Sequence, residues 1–146
     1  MAEQDLSQYL AYLLASAHRH MRIGLGQSIG DAEFNEEHWR ILQVLADEQG
    51  HSMGDLAERV LLNAPALTKN IDKLVSRGVV QRATDPTDNR RVRVYISDLG
   101  LETVARLKER VDAHHAQLEG TLGPRKTLQL KRLLESFIAG SGSRPN

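Results

Sequence analysis

The chain has 146 residues, which suits one domain, or one domain with additional helices that form a dimer. Hydrophobic residues make up 40% of it, too many for a disordered chain, and the absence of cysteine excludes disulfides, thiolate metal sites and a cysteine redox switch. Net charge is zero, but residues 69–93 hold seven bases and three acids, so this segment carries +4 and the remainder −4. Such a segment can present a basic face to an anionic partner, or it can be an ordinary solvated surface.

A stripe of apolar residues at helical spacing predicts a first helix from about residue 4 to the high twenties: Leu6, Leu10, Leu13 and Ala17. The glycines that follow residue 23 loosen or end this helix. Residues 9–17 resemble a signal-peptide core, but residues 1–8 hold two acids and no base, and the apolar run is too short to cross a bilayer. We therefore predict a cytoplasmic protein without a membrane partner.

Two short helices are predicted next. The second helix begins near Asn35 or Glu36 and stops before Gly50. The third begins after Ser52, which forms with Asp55, three residues later, a pattern that resembles a capping box. Ser52 is also counted among the candidate DNA contacts.

The fourth predicted helix starts after Asn63 and ends at Gly78, with Pro65 in its first turn, where a missing N–H costs little. Its apolar residues share one face, whereas the opposite face is small near the N-terminus and cationic further along. A recognition helix needs this pattern, because small side chains allow close approach to base edges, and Lys and Thr reach bases or phosphates. The candidate contacts on this face and its flanks are Pro65, Ala66, Thr68, Lys69, Asn70 and Lys73. An ordinary amphipathic surface helix explains the pattern equally well.

The hydrophobic period then changes, and residues 79–84 and 92–97 predict two short strands that form a β-hairpin. Residues 85–91 form the loop between them. Ser97 can cap the long helix that follows, and Pro124 starts the last helix.

The hairpin loop combines acids and arginines. Arg90 and Arg91 suit a wing that lies along the DNA backbone or enters the narrow minor groove, where concentrated negative potential attracts arginine. Asp85 and Asp88 are expected to hold the turn and to orient the arginines by bidentate pairing, and Pro86 presets the backbone of the turn. Asp88, Arg90 and Arg91 therefore join the candidate DNA contacts.

Two short helices, a tight turn, a third helix and a basic hairpin, in this order, form a winged helix-turn-helix. From Leu6 to Ile138 the chain resembles the MarR family of bacterial transcription regulators. Four segments carry the resemblance: "HWRILQVLADEQG", "SMGDLAERV", "NAPALTKNIDKLVSRGVVQR" and "DPTDNRRVRVYIS". The family usually has Asp-x-Arg at the wing tip, which Asp88 and Arg90 match.

Three positions depart from the family pattern. Ala66 stands where the family often has Thr or Ser, Asn70 where it usually has an apolar residue, and Asn89 where a wing Arg or Lys is common. These departures bear on which DNA sequence is read and not on whether DNA is bound.

The resemblance implies a homodimer whose terminal helices interleave, and two-fold symmetry then predicts a pseudo-palindromic operator in double-stranded DNA. The predicted fold class is mainly α with a small β-hairpin wing (α+β): a winged helix-turn-helix DNA-binding lobe with N- and C-terminal dimerisation helices. Within a single domain of residues 1–146, the lobe covers residues 33–97 and the dimerisation helices cover residues 1–30 and 98–140. Long apolar stripes in those helices also favour a dimer, because the chain offers them no other partner. The alternative is that the helices pack only on their own domain.

The resemblance also implies a repressor released by a small anionic aromatic effector, bound between the dimerisation helices and the DNA-binding lobe. A carboxylate of this effector could be held by basic residues beside a tryptophan, and the candidates are His18, Arg22, His38, Trp39 and Arg40. The alternative is that Trp39 belongs to the core and the basic residues are solvated.

Other function classes fit less well. A zinc-responsive regulator of the same fold needs converging ligands, but His114 and His115 are adjacent and point about 100° apart on a helix. We expect no metal, no cofactor and no enzyme, because no nucleophile elbow, phosphate-binding glycine loop or His-Glu-x-x-His motif is present. A protein-interaction module that uses the winged helix without DNA remains the competing hypothesis.

Overall fold

A computed structural model of the protein describes residues 5–142 and divides into two compact units, Met1–Val111 and Asp112–Asn146. The predicted dimerisation segment 1–30 therefore begins outside the described residues. A 3-10 turn (Leu6–Gln8) opens the described chain, and the remaining elements follow in this order: α1 (Leu10–Ile29), α2 (Glu36–Leu45), β1 (His51–Ser52), α3 (Met53–Val60), α4 (Ala64–Ser76), β2 (Val80–Asp85), β3 (Asp88–Ile96), α5 (Asp98–Leu122) and α6 (Pro124–Ser141).

The first helix starts later than its apolar spacing predicts. The Asp5 carboxylate accepts hydrogen bonds from the Ser7 amide and hydroxyl, which closes a separate 3-10 turn, and Tyr9 is extended, so α1 begins at Leu10. Its end agrees with the prediction, because Gly30 adopts a left-handed conformation (φ 53°) that favours glycine and stops the helix.

The caps of the next two helices are local. The Asn35 side chain accepts from the His38 amide at 3.0 Å while the Asn35 amide donates to His38 Nδ1 at 3.2 Å, a reciprocal cap that starts α2. Ser52 Oγ accepts from the Asp55 amide at 3.1 Å and starts α3. The Asp55 carboxylate bonds to His51 and Arg59, so the predicted capping box is only half formed.

The sheet has three antiparallel strands in the order β1-β3-β2, one more than predicted. With two residues, β1 is too short to show an alternating pattern, and only its pairing with Arg93 and Val94 of β3 makes it a strand. The hairpin loop is also corrected, since β2 and β3 continue to a two-residue turn at Pro86 and Thr87. Thr84 pairs with Val92 but Asp85 pairs with Asp88, so residues 89–91 form a bulge in β3.

Sixteen hydrophobic residues are buried within the described range 5–142, and all of them lie in the first unit: Ile29, Phe34, Ile41, Leu42, Leu45, Leu56, Val60, Leu67, Ile71, Leu74, Val79, Val80, Val94, Ile96, Val104 and Leu107. They form one continuous core under α2, α3, α4 and the sheet. The start of α5 is tied to the end of α1, because Arg106 pairs with Asp31 at 2.8 Å. The predicted fold class, mainly α with a β-hairpin wing, is confirmed.

The second unit contains no buried residue within its described part, residues 112–142. Lys131 of α6 contacts two residues of α5: its Nζ lies 3.0 Å from Glu119 Oε1 and 3.2 Å from His115 Nε2. Several large apolar side chains of α6 point into open space, and they are Leu128, Leu130, Leu133, Phe137 and Ile138. Among residues 5–142, no helix combines the length and the apolar character that crossing a bilayer requires.

Candidate nucleic-acid interface and effector site

The outward face of α4, with Pro65, Lys69 and Lys73, is exposed as the helical spacing predicts. Neither lysine forms an ion pair with any residue in the range 5–142, so both ammonium groups are available to an anionic partner. The face is stable because Leu67 and Leu74, on the opposite side, are fully buried. This arrangement can place two cations beside phosphates or base edges.

The smaller candidate residues are partly engaged in hydrogen bonds within the protein. Thr68 Oγ1 donates to the Ala64 carbonyl at 3.0 Å, which leaves its lone pairs free to accept. Ala66 is half-buried, and its amide is used by the N-cap Asn63 at 2.9 Å. Ser52 is exposed, and its oxygen caps α3, so only its hydroxyl proton is available for a phosphate.

Asn70 corrects part of the sequence prediction, because it lies on the inward side of α4 and is 8% exposed. Its Nδ2 donates to Glu37 Oε2 at 3.0 Å and to the Ala66 carbonyl at 2.9 Å. Both of its N–H donors are therefore used within the protein. Asn70 was expected on a flank of the outward face as a candidate DNA contact, but its side chain turns inward and its donors are not available to DNA.

The base of the wing is held by one buried carboxylate. Asp85 is 6% exposed and accepts from the Thr87 amide and hydroxyl, both at 2.8 Å, and from Arg93 Nε at 2.9 Å. The Thr87 amide, supported by the Arg93 guanidinium, holds the pKa of Asp85 well below its usual range. Arg93 also donates to the Gly50 carbonyl at 3.1 Å, which fastens the wing to the segment before β1.

The wing tip is less constrained than its base. Asp88 accepts from the Arg90 amide at 3.0 Å and lies 3.6 Å from Arg91 Nε. Both carboxylates thus shape the turn, but each contacts an arginine through Nε alone, so the predicted bidentate pairing was wrong. The Arg90 guanidinium has no hydrogen-bond partner in the described chain and projects from the bulge, where an anion can reach it.

One link between the wing and α4 escaped the sequence reasoning. Arg82 of β2 forms an ion pair with Asp72, which lies on α4 between the two exposed lysines. No local signal in the sequence indicated that Asp72 has this partner. The pair fixes the wing against the recognition helix, so the two candidate DNA-contacting elements form one surface.

The candidate effector residues are only partly brought together. Arg22 of α1 is exposed, and its Nη2 donates to Glu37 Oε1 at 3.3 Å, while its Nε lies 4.0 Å from Glu36. His18 lies one turn earlier on α1 and is also exposed. Arg22 thus brings α1 to the start of α2, next to His38.

His38 is 3% exposed and packs edge-on against Phe34. Its Nδ1 accepts from the Asn35 amide, so a neutral ring carries its proton on Nε2, for which residues 5–142 supply no acceptor. Burial lowers the pKa of His38, and the cations Arg77 and Lys73 lower it further. The buried ring is therefore a neutral N–H donor.

Trp39 and Arg40 differ from the expectation in different ways. Trp39 is half-buried against the core, and its Nε1 has no acceptor among the described residues. The Arg40 guanidinium donates to the Val60 carbonyl at 2.8 Å and to Glu36 at 2.6 Å. Because these bonds join α2 to the end of α3, Arg40 holds the lobe together and is not a free cation for a ligand.

Glu37 is the residue that sequence reasoning undervalued. At the start of a helix a glutamate is ordinarily a solvated acid, yet the Glu37 carboxylate bonds both Arg22 and Asn70. The available signal was Asn70 at a position expected to be apolar, since a buried amide needs a partner. Within residues 5–142, no group of three or more His, Asp or Glu side chains is arranged to hold a metal ion.

A winged helix-turn-helix with a basic recognition face defines a class of DNA-binding proteins, and comparison with known proteins identifies the family. A sequence model of the MarR family matches residues 34–92. The homoprotocatechuate degradative operon repressor of Escherichia coli is 30% identical over 109 residues, which are 75% of this chain and 74% of the repressor. The regulator FarR of Neisseria gonorrhoeae is 30% identical over 130 residues, 82% of this chain and 89% of FarR. The chain belongs to the MarR family of transcriptional regulators.

Solved structures agree in fold. NadR in complex with 4-hydroxyphenylacetate is 27% identical with a TM-score of 0.74, covering 94% of this chain and 97% of NadR. The repressor CouR bound to a 23-mer DNA duplex is 24% identical with a TM-score of 0.83, covering 93% of this chain and 99% of CouR.

Proposed function

We propose that the protein is a homodimeric repressor that binds a pseudo-palindromic operator in double-stranded DNA and is released by a small aromatic carboxylic acid. The observation that carries the DNA half is the continuous cationic surface of α4 and the wing. Lys69, Lys73 and Arg90 have no ion-pair partner in the described chain, and the Asp72–Arg82 pair fixes their elements together. Unpaired cations on a rigid surface lose little entropy when they meet phosphates.

The homodimer is supported by the second unit. A helix whose apolar face is exposed needs a partner, and Leu133 (61% exposed), Phe137 (53%) and Ile138 (67%) form such a face on α6. A second copy of the chain offers the same face, which a two-fold interface requires. Two recognition helices related by two-fold symmetry then call for two half-sites about one helical turn apart.

The effector is supported by donors that lack acceptors. His38 Nε2 and Trp39 Nε1 are buried without a partner among residues 5–142, and Arg22 offers an exposed guanidinium nearby on α1. A carboxylate or phenol oxygen would satisfy such groups. The similar NadR binds 4-hydroxyphenylacetate, and the repressor similar in sequence governs homoprotocatechuate degradation, so an aromatic acid is the class we propose here.

A gel shift with the DNA that flanks the protein's own gene tests the DNA half. We expect a retarded protein–DNA complex whose affinity falls with salt. Adding 4-hydroxyphenylacetate or a related aromatic acid should dissociate this complex. If no fragment is retarded at low salt, the protein is not an operator-binding repressor, and the winged helix serves a protein partner instead.

The two lysines of α4 separate affinity from specificity. Lys73→Ala should weaken binding to all sequences and reduce the salt slope by about 1, because a phosphate contact is lost. Lys69→Ala should instead change which sequences are preferred in a selection from random DNA. Uniform loss in both variants would mean that neither lysine reads bases.

A further inference from the structure

We propose that Glu37 is a positioning residue for the recognition helix, and that Arg22 of α1 controls through it how firmly Asn70 holds α4. Glu37 touches neither face that meets DNA. Its part is to join a helix outside the DNA-binding lobe to the helix that reads the operator. This inference rests on the proposed function for operator binding, and its last step rests on it also for the anionic effector.

The carboxylate of Glu37 is divided between two helices. Its Oε1 accepts from Arg22 Nη2 of α1 at 3.3 Å, and its Oε2 accepts from Asn70 Nδ2 of α4 at 3.0 Å. The positions of Glu37 and Asn70 are 33 residues apart in sequence, so only the folded lobe brings them together. A change at Arg22 therefore alters the charge and orientation of the group on which Asn70 depends.

Asn70 makes the orientation of α4 sensitive to this bond. Its second N–H is already donated to the Ala66 carbonyl one turn earlier, and the residue is 8% exposed, so water cannot readily replace Glu37. A buried donor without an acceptor is costly, and α4 can regain hydrogen bonds only by shifting. Such a shift moves Lys69 and Lys73, which lie one and three residues away on the same helix.

Arg22 is poised for capture by an anion. Its side chain is 59% exposed, and its contacts with Glu37 at 3.3 Å and Glu36 at 4.0 Å leave most of its five donors unused. A ligand carboxylate can form a bidentate pair with it, which is stronger than the single contact to Glu37. The same negative charge repels the Glu37 carboxylate, so capture of Arg22 weakens the Glu37–Asn70 bond and, by linkage, operator binding.

A double-mutant cycle without any effector tests the connection. Arg22→Gln, Asn70→Leu and the double variant are compared for operator affinity by fluorescence anisotropy at fixed salt. Arg22 and Asn70 do not bond each other, so independent residues would give additive losses. We expect each single change to weaken binding about two- to fivefold, as for an exposed ion pair, and the double variant to be no weaker than the poorer single variant.

Two further variants, Glu37→Gln and Arg19→Gln, serve as controls for the double-mutant cycle. In a Glu37→Gln background, Arg22→Gln should have no additional effect, whereas a full additional effect there would overturn the proposal, as would additive losses in the cycle. Arg19→Gln removes a cation from an exposed position of α1 three residues earlier and should be additive with Asn70→Leu. Circular dichroism and thermal unfolding confirm that each variant is folded. If Asn70→Leu fails that check, the comparison in the Glu37→Gln background decides the question, because Glu37→Gln keeps the size of the side chain.

A second arm uses 4-hydroxyphenylacetate as the probe. Wild-type protein should bind it, seen as a rise in melting temperature, and should release the operator. Glu37→Gln should still bind the probe but release the operator several-fold less, and release equal to wild type would overturn the proposal. If the wild type neither binds nor responds, the effector half of the proposed function fails with this probe, and the effector-free cycle alone decides the role of Glu37.

Discussion

The two compact units of the protein differ in how far they bury their apolar side chains. The first, Met1–Val111, holds every buried hydrophobic residue of the described chain, and Leu42, Leu56 and Leu74 are wholly inaccessible. The second, Asp112–Asn146, also has a helix with large apolar side chains, α6, yet none of its described residues is buried. Hydrophobicity alone therefore does not distinguish a core residue from an interface residue.

The number of elements around each apolar residue explains why only the first unit forms a core. In the first unit, three helices and a sheet surround the apolar side chains on several sides, so the lobe can form its core within one chain. In the second unit, α6 and the end of α5 are too few elements to bury their apolar side chains. We infer that the first unit carries recognition and the second carries association, and that each can be damaged separately.

The largest expected effect comes from charging the exposed face of α6. Leu133→Asp should give monomers in sedimentation, because a buried carboxylate is costly in a dimer interface. Operator affinity should fall by about a hundredfold or more, since each half-site is then bound independently. Circular dichroism should remain that of a folded lobe.

Leu61→Asp is the matched control for that change. Leu61 is 81% exposed in the first unit, and its left-handed backbone (φ 60°) tolerates Asp. It should stay dimeric. A dimeric Leu133→Asp variant would contradict the division of roles between the units.

A smaller effect is expected at the wing tip. Arg90→Ala should weaken operator binding roughly ten- to hundredfold without changing the dimer, because one unpaired guanidinium at the bulge makes a concentrated contact. Arg125→Ala removes the same charge from the second unit and should bind nearly as wild type. Equal losses in the two variants would indicate that net charge, and not the wing, sets affinity.

The smallest effect is a pH dependence of stability in the first unit. His38 has its pKa lowered below the ordinary 6.5 by burial and by Arg77 and Lys73, so below that pH the unfolded chain binds the proton first. Stability is therefore complete above about pH 6.5 and falls as pH decreases from there towards the lowered value. Thermal unfolding from pH 7.5 to 5 measures this fall.

His38→Gln isolates the histidine from other titrating groups. Glutamine at the same helix position can accept from the Asn35 amide and preserve the cap. The variant should lose stability less steeply with acid than wild type. An identical pH profile would show that His38 does not titrate differently in the folded state.

Short-range features of this fold were predictable because their causes lie within a few residues. Asn35, Ser52 and Asn63 cap α2, α3 and α4 through bonds to amides three residues later, as their residue types indicate. The wing followed from a change of hydrophobic period. The bulge at residues 89–91 did not, since register depends on which residues of the partner strand are opposite.

The order of the helices, most of their caps, the basic hairpin and the family could all be read from the sequence, because these features depend on local pattern. Three long-range contacts depend instead on how the chain packs: Asn70 turns inward to Glu37, Asp72 pairs with Arg82, and Arg93 donates to Gly50. The Arg93–Gly50 bond spans 43 residues, and a pattern that repeats every two or four residues carries no information about such partners. Buried polar groups must be satisfied by whatever the fold places beside them, and that placement is a property of the packed chain.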